Sequence, residues 1–165
     1  MIRLVRPTDH SAIAAIVEPA FMAEFGQSTE NALIEQLRAD GDVIFELVAE
    51  QDGQIVGHIL YSRLWVASPQ LYAALAPLAV RNDLQRTGVG SALMRTSLDT
   101  AREYGVHGIL VLGHPSYYSR FGFTVEAAAN VKSPYSGSPA LAAQALENGA
   151  FGTPITVAYP SAFGG

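Results

Sequence analysis

Two short stretches of the chain carry residue types whose spacing suits chemistry. The first, Gln85-Arg86-Thr87-Gly88-Val89-Gly90-Ser91, puts two glycines at the mouth of a predicted helix. Glycine lets a backbone approach a ligand closely and adopts conformations that a side chain forbids. The first N–H groups of a helix have no intrahelical partner, and the helix dipole gathers partial positive charge around them. A turn of this kind can hold a phosphate or pyrophosphate. A P-loop would follow its last glycine with Lys and then Ser or Thr, but Gly90 is followed by Ser91-Ala92. A dinucleotide fingerprint would need a third glycine at position 93, which is Leu93. From these residues alone, a tight strand-to-helix turn without a ligand explains the glycines equally well.

The second stretch, Tyr118-Ser119-Arg120-Phe121-Gly122-Phe123, lies just past an apolar run at 109–112. It sets a phenol ahead of a Gly-Phe pair. A phenol is protonated at neutral pH and can act as a general acid. A buried tyrosine is also commonly structural, with its hydroxyl bonded to the backbone.

Taken in order and spacing, the two stretches resemble the GNAT acetyltransferases. Gln85 to Gly90 is similar to their Gln/Arg-x-x-Gly-x-Gly/Ala signature, and Tyr118 to Phe123 to their Tyr-x-x-x-Gly-Phe segment. The likeness extends from Ile2 to about Phe163. It is strongest to a bacterial single-domain branch with Pro-Leu-Ala-Val, Arg-Phe-Gly-Phe and a late Ser-Pro-Tyr. The resemblance implies a three-layer α/β/α sandwich on a mixed, mostly antiparallel sheet, splayed where acetyl-CoA enters. It implies that pantetheine pairs with free backbone groups near Leu78, Ala79 and Val80, and that the pyrophosphate sits on N–H groups from Arg86, Thr87, Gly88, Val89, Gly90 and Ser91. Gln85 and Phe121 complete the implied cofactor set.

The implied reaction is direct attack of a neutral amine on the acetyl thioester. Tyr118 matches the position from which the family's tyrosine protonates the coenzyme A sulfur, and a backbone N–H near Leu78 or Ala79 would hold the oxyanion. The acceptor is a small-molecule or peptide amine, and homodimers are common in the family. The run at 71–80 departs from many relatives by lacking a carboxylate, where a glutamate often serves as general base. Glu46, His58, His114, Glu24 and a water chain with no single base all stand as alternatives. The missing carboxylate also motivates a second reading, a non-catalytic acetyl-CoA sensor or interaction module.

The elements that must position these groups can be read from periodicity. Residues 2–6 alternate as a short strand, and Pro7-Thr8-Asp9 ends it with helix-capping chemistry. Helices are predicted from 13 to about 25, closed by Gly26, and from 29 to 39, followed by Gly41. Strands at 43–50 and 54–66 flank Asp52-Gly53, a strong hairpin signal. A third strand at 71–80 contains Pro77, which should make it bulge or lose pairing there. A helix at 88–104, a strand at 109–112, one or two helical turns at 117–121 and a strand near Phe123 follow. Residues 140–146 read as helix on propensity, whereas the resemblance makes them a strand; 155–159 read as strand. The aromatics Phe45, Tyr61, Trp65 and Tyr72 could line a pocket, although strand aromatics mainly pack cores.

Composition narrows the function classes. The 165 residues suit one domain with a substantial core; 49% are hydrophobic and 15% charged. No apolar run approaches the ~18 residues of a membrane span, and no signal peptide is visible. Cysteine is absent, excluding disulfides and thiolate-bound metal, and the four histidines lack ligand spacing. A cytoplasmic protein is the expectation. The net charge of −5, without clustered Lys and Arg, argues against a nucleic-acid partner.

Overall fold

The computed structural model describes residues 1–164, which form two compact units. The first comprises Met1–Tyr61 and Pro77–Asp99, the second Ser62–Ala76 and the described residues from Thr100 onward. Two strands, β3 (Gln54–Val66) and β4 (Leu71–Val80), contribute residues to both units. The sheet is mixed, its strands in the order β1 (Ile2–Leu4), β2 (Val43–Gln51), β3, β4, β5 (Val106–Leu112) and β7 (Leu141–Ala145).

In the first unit, β1 (Ile2–Leu4) pairs antiparallel with β2 (Val43–Gln51), Ile2 opposite Ala49 and Leu4 opposite Leu47. Helices α1 (His10–Phe25) and α2 (Glu30–Ala39) stand between them in sequence. Gly26 ends α1 in the left-handed conformation that glycine tolerates, its N–H donating to the Met22 carbonyl. Both turn residues of the β2–β3 hairpin have positive φ, 50° at Asp52 and 75° at Gly53, as its Asp-Gly pair predicts. Ile13 and Val17 of α1, Ile34 and Leu37 of α2, Val48, Ile59 and Leu93 are all buried in the core. Helix α3 (Val89–Glu103) begins against β3 at Gly57. A Cβ there would lie 2.7 Å from Leu93 Cδ1 and 3.0 Å from Val89 Cγ1, so glycine lets the first turns of α3 close onto the strand.

In the second unit, β5 (Val106–Leu112) pairs parallel with β4, from Leu71–Val106 to Leu75–Val111. This ladder stops before Pro77, as expected, but its irregularity falls between Leu71 and Tyr72 rather than at the proline. On its other side β5 pairs antiparallel with β7 (Leu141–Ala145). That segment is therefore a strand, against its helical propensity. Pairing with β5 and the burial of Leu141, Ala142 and Ala143 outweigh the modest helix preference of alanine.

No full strand forms at Phe123 among the described residues. Thr124 makes a single bridge to Ala143, and its Oγ1 then accepts the Ala127 N–H, turning the chain into a 3-10 helix at Glu126–Ala128. A two-residue strand not visible in the sequence, β6 (Val131–Lys132), pairs parallel with β8 (Ile155–Ala158). Tyr72, Leu110, Leu141, Phe151 and Val157 centre the core of this unit.

Candidate functional site

The glycine turn is built by the first unit. After Val80 the chain is tied back by Arg81, whose N–H donates to the Val56 carbonyl at 2.8 Å and whose guanidinium grips Asp83 and Gln54. The Gln85 amide donates to the Val80 carbonyl and to Asn82 Oδ1, and the Thr87 hydroxyl to the Leu84 carbonyl. These side chains brace the loop. Arg86 (φ 63°) and Gly88 (φ 98°) both have positive φ. Such alternation turns successive N–H groups toward one point, the geometry of an anion nest. An added Cβ at Gly88 would meet nothing within 4 Å, so the approach to the α3 N-terminus is open. Residues 85–88 are exposed, Gly90 and Ser91 partly so, while Val89 is buried beneath them. A pyrophosphate fits this cradle, which offers open backbone donors and partial positive charge from a helix of 15 residues.

Leu78 and Val80 are half-buried on β4, and Ala79 is buried between them. All three lie past Leu75, where the pairing with β5 has ended.

Tyr118 belongs to the second unit, at the end of α4 (Pro115–Tyr118). The His114 carbonyl caps this turn by accepting the N–H groups of Tyr117 and Tyr118. The Tyr118 ring is partly buried and meets Tyr117 and Phe123 edge-on, at centroid distances of 5.1 and 6.0 Å. Beneath it lies Gly113, where a Cβ would fall 2.6 Å from Tyr118 Cε2. In the sequence Gly113, with His114 and Pro115, marks only the end of the apolar run; its contact with Tyr118 is not visible there. Phe121 is 7% exposed and packs on Tyr117, with the Arg120 guanidinium over both rings.

Two of the proposed general bases prove to be engaged with each other. Glu46 and His58 are both buried, and His58 Nε2 lies 2.8 Å from Glu46 Oε1. Arg38, which sequence reading did not single out, forks onto the same carboxylate with Nε–Oε2 of 3.0 Å and Nη2–Oε1 of 2.7 Å. Burial alone would push the Glu46 carboxyl up. The hydrogen bonds from His58 and Arg38 outweigh that and hold it down at about 2. Burial pushes the His58 imidazole below its ordinary value, against the pull of Glu46, so it is neutral and donates Nε2–H to the carboxylate. Its Nδ1 is buried without a hydrogen-bond partner. A carboxylate with both oxygens taken and an imidazole without solvent contact are poorly placed to accept a proton from a bound amine. His114 and Glu24 are exposed.

The aromatic candidates are mostly core. Phe45 stacks on Tyr61 at 4.6 Å, the Tyr61 hydroxyl pairs with Ser97, and the Tyr72 hydroxyl donates to the Ala150 carbonyl. Trp65 alone is exposed, at 52%, under the Arg63 guanidinium. No described helix is long and apolar enough to cross a membrane.

Comparison with known proteins identifies the family and the fold. The chain is 32% identical over 140 residues to an uncharacterized N-acetyltransferase, YhbS, of Escherichia coli K12, covering 84% of this chain and 81% of the relative. It is 39% identical over 122 residues to the uncharacterized N-acetyltransferase YjhQ of the same organism, covering 70% and 66% of the two chains. The crystal structure of Escherichia coli YhbS in complex with CoA superposes with a TM-score of 0.87 at 29% identity, covering 100% of this chain and 92% of that one. A GNAT family acetyltransferase from Brucella melitensis in complex with acetyl-CoA gives 0.79 at 30% identity, covering 99% and 97%. The model of the acetyltransferase (GNAT) family matches residues 10–123, a span that includes both the glycine turn and Tyr118, and the chain belongs to that family.

Proposed function

We propose that this protein transfers the acetyl group of acetyl-CoA to a primary amine by direct attack, with Tyr118 as the general acid, all within one catalytic domain. The observation that carries the reading is the braced turn at 85–91, whose open backbone at Gly88 leads onto the N-terminus of α3. The CoA and acetyl-CoA complexes of the two similar structures support the same donor here.

In this reading Arg86 to Ser91 hold the pyrophosphate through backbone N–H groups, and the β4 backbone from Leu78 to Val80 pairs with the pantetheine arm. The amine nitrogen attacks the thioester carbonyl carbon, and a β4 N–H at Leu78 or Ala79 steadies the oxyanion. As the carbon–sulfur bond breaks, the Tyr118 hydroxyl gives its proton to the sulfur. The amine gives up its proton to water rather than to Glu46 or His58, which are engaged with one another. The tyrosinate then recovers a proton from solvent.

A thermal melt with acetyl-CoA, coenzyme A, ATP and NAD tests the donor site. At a concentration about 100 times the dissociation constant, binding adds about 2.7 kcal/mol. For a domain of this size that raises the melting temperature by roughly 5 to 11 °C. The rise is expected with acetyl-CoA and CoA only. Tyr118→Phe should then lower kcat by about 10²-fold or more while leaving the acetyl-CoA shift intact. Loss of both together in a folded variant would remove Tyr118 from the acid role. A cofactor shift without acetylation of any amine would favour the sensor reading.

A further inference from the structure

The first unit contains a cavity of about 410 Å³ between α1 and α2, and none of the residues lining it has been given a role in acetyl transfer. Its apolar wall is Ile13 and Ala14 from α1 and Ile34 from α2. Along α2, Asn31, Glu35 and Arg38 also line it, spaced so that they share one helical face. Ser11 and His10 close the α1 side. The two helices are pinned here by Asn31 Nδ2, which donates to the Ala14 carbonyl at 3.1 Å.

The charges on this wall do not balance. Arg38 and Glu35 are three residues apart, a spacing at which they would ordinarily pair. Instead the Arg38 guanidinium is drawn inward onto Glu46, at 2.7 and 3.0 Å, and its charge is neutralised there. Glu35 is left with no ion pair or side-chain hydrogen bond among the described residues. The cavity therefore presents one uncompensated carboxylate, two further acceptors in Asn31 Oδ1 and Ser11 Oγ, and a hydrocarbon wall. An anion would meet Glu35 while the Arg38 guanidinium is held by Glu46. The volume falls in the range of small-molecule sites, about 300–1,000 Å³.

We propose that this cavity binds a small alkylammonium ion, with the ammonium on the Glu35 carboxylate and the alkyl chain on Ile13, Ala14 and Ile34. The site stands apart from acetyl transfer, and its occupant need not be acetylated. Such a ligand would clamp α1 to α2 and make the protein's stability sensitive to amine concentration.

The test is isothermal titration of the full chain with n-butylammonium, in the absence of acetyl-CoA, beside n-butyrate and n-butanol. Saturable one-site binding is expected for the ammonium ion only. Glu35→Gln, exposed on α2 and neutral in helix preference, should weaken it at least tenfold, about 1.4 kcal/mol. Ser11→Trp, which fills the cavity from an exposed position, should weaken it similarly. Retention of the acetyl-CoA melting shift in both variants separates this site from the donor site. No saturable heat, equal binding of butyrate, or ammonium binding undiminished in Glu35→Gln would overturn the proposal. The last outcome would place the amine elsewhere on the molecule.

Discussion

Two regions of the first unit, the Arg38–Glu46–His58 network and the turn at 85–91, contrast in what they do with their polar groups. The network holds a carboxylate, an imidazole and a guanidinium within hydrogen-bond distance, the residue types most often associated with catalysis. They face each other, and the buried His58 Nδ1 lacks a hydrogen-bond partner. In the turn, side chains are hydrogen-bonded back to the loop, and the backbone near Gly88 lies open. Residue type would direct attention to the first; availability to a ligand directs it to the second. The contrast predicts a double dissociation: damage to the network costs stability, and damage to the turn costs cofactor binding.

The largest effect should come from Glu46→Ala. Removing one partner of a buried ion pair leaves the others uncompensated, which typically costs about 3 kcal/mol or more. A urea denaturation midpoint well below wild type is expected, with kcat unchanged at temperatures where the variant remains folded. The same network sets a pH dependence. Glu46 is depressed from its ordinary 4.5 to about 2, so its contribution is present above 4.5 and lost as pH falls toward 2. His58 is depressed from 6.5, so its contribution is complete above 6.5 and fades below it as the unfolded chain takes up the proton first. Melting temperature should therefore fall as pH drops below about 6.5, and fall again below about 4.5. A flat profile between pH 7 and 4 would mean the network is not closed in solution.

Gly88→Trp should produce the opposite pattern. Its Cβ would meet no protein atom within 4 Å, so the direct penalty is the positive φ, about 1–2 kcal/mol for a residue with a Cβ. The indole would occupy the approach to the α3 N-terminus. Acetyl-CoA affinity should drop about a hundredfold, or 2.7 kcal/mol, read as a lost melting shift in a folded protein. A folded Gly88→Trp that still responds to acetyl-CoA would show that the pyrophosphate binds elsewhere.

Much of this contrast was legible in the sequence. The glycine pair before an amphipathic run, the Asp-Gly hairpin and the helices with their closing glycines all depend on neighbouring residues, and these elements formed close to where periodicity put them. What could not be read depended on distant partners. The alanine-rich segment 141–145 is a strand because β5 lies beside it. Glu46 and His58 are two strand residues whose availability depends on Arg38 from α2, a contact no local pattern announces. The supports beneath the candidate groups escaped for the same reason. No local pattern at Gly57 or Gly113 announces that Leu93 lies against one and Tyr118 against the other.

Gly113 extends the comparison to the second unit, where a side chain rather than a backbone is the proposed actor. The Tyr118 ring rests on Gly113 so closely that a methyl group would stand 2.6 Å from Cε2, well inside van der Waals contact. The tyrosine is also fixed by its N–H on the His114 carbonyl and by the edges of Tyr117 and Phe123. In Gly113→Ala the ring must swing on its Cβ, because the backbone turn beneath it is hydrogen-bonded at both Tyr117 and Tyr118. The hydroxyl then moves by more than the Cβ contact itself, being at the far end of the ring. Proton transfer depends steeply on such placement. A fall in kcat of about tenfold is expected, smaller than the loss from Tyr118→Phe because the phenol is still present. Acetyl-CoA affinity, which the proposal assigns to backbone groups of the other unit, should not change. The informative measurement is the double variant: if Gly113 acts only by positioning Tyr118, adding Gly113→Ala to Tyr118→Phe should lower kcat no further. Additive losses would assign Gly113 a part in the strand end that is independent of the tyrosine.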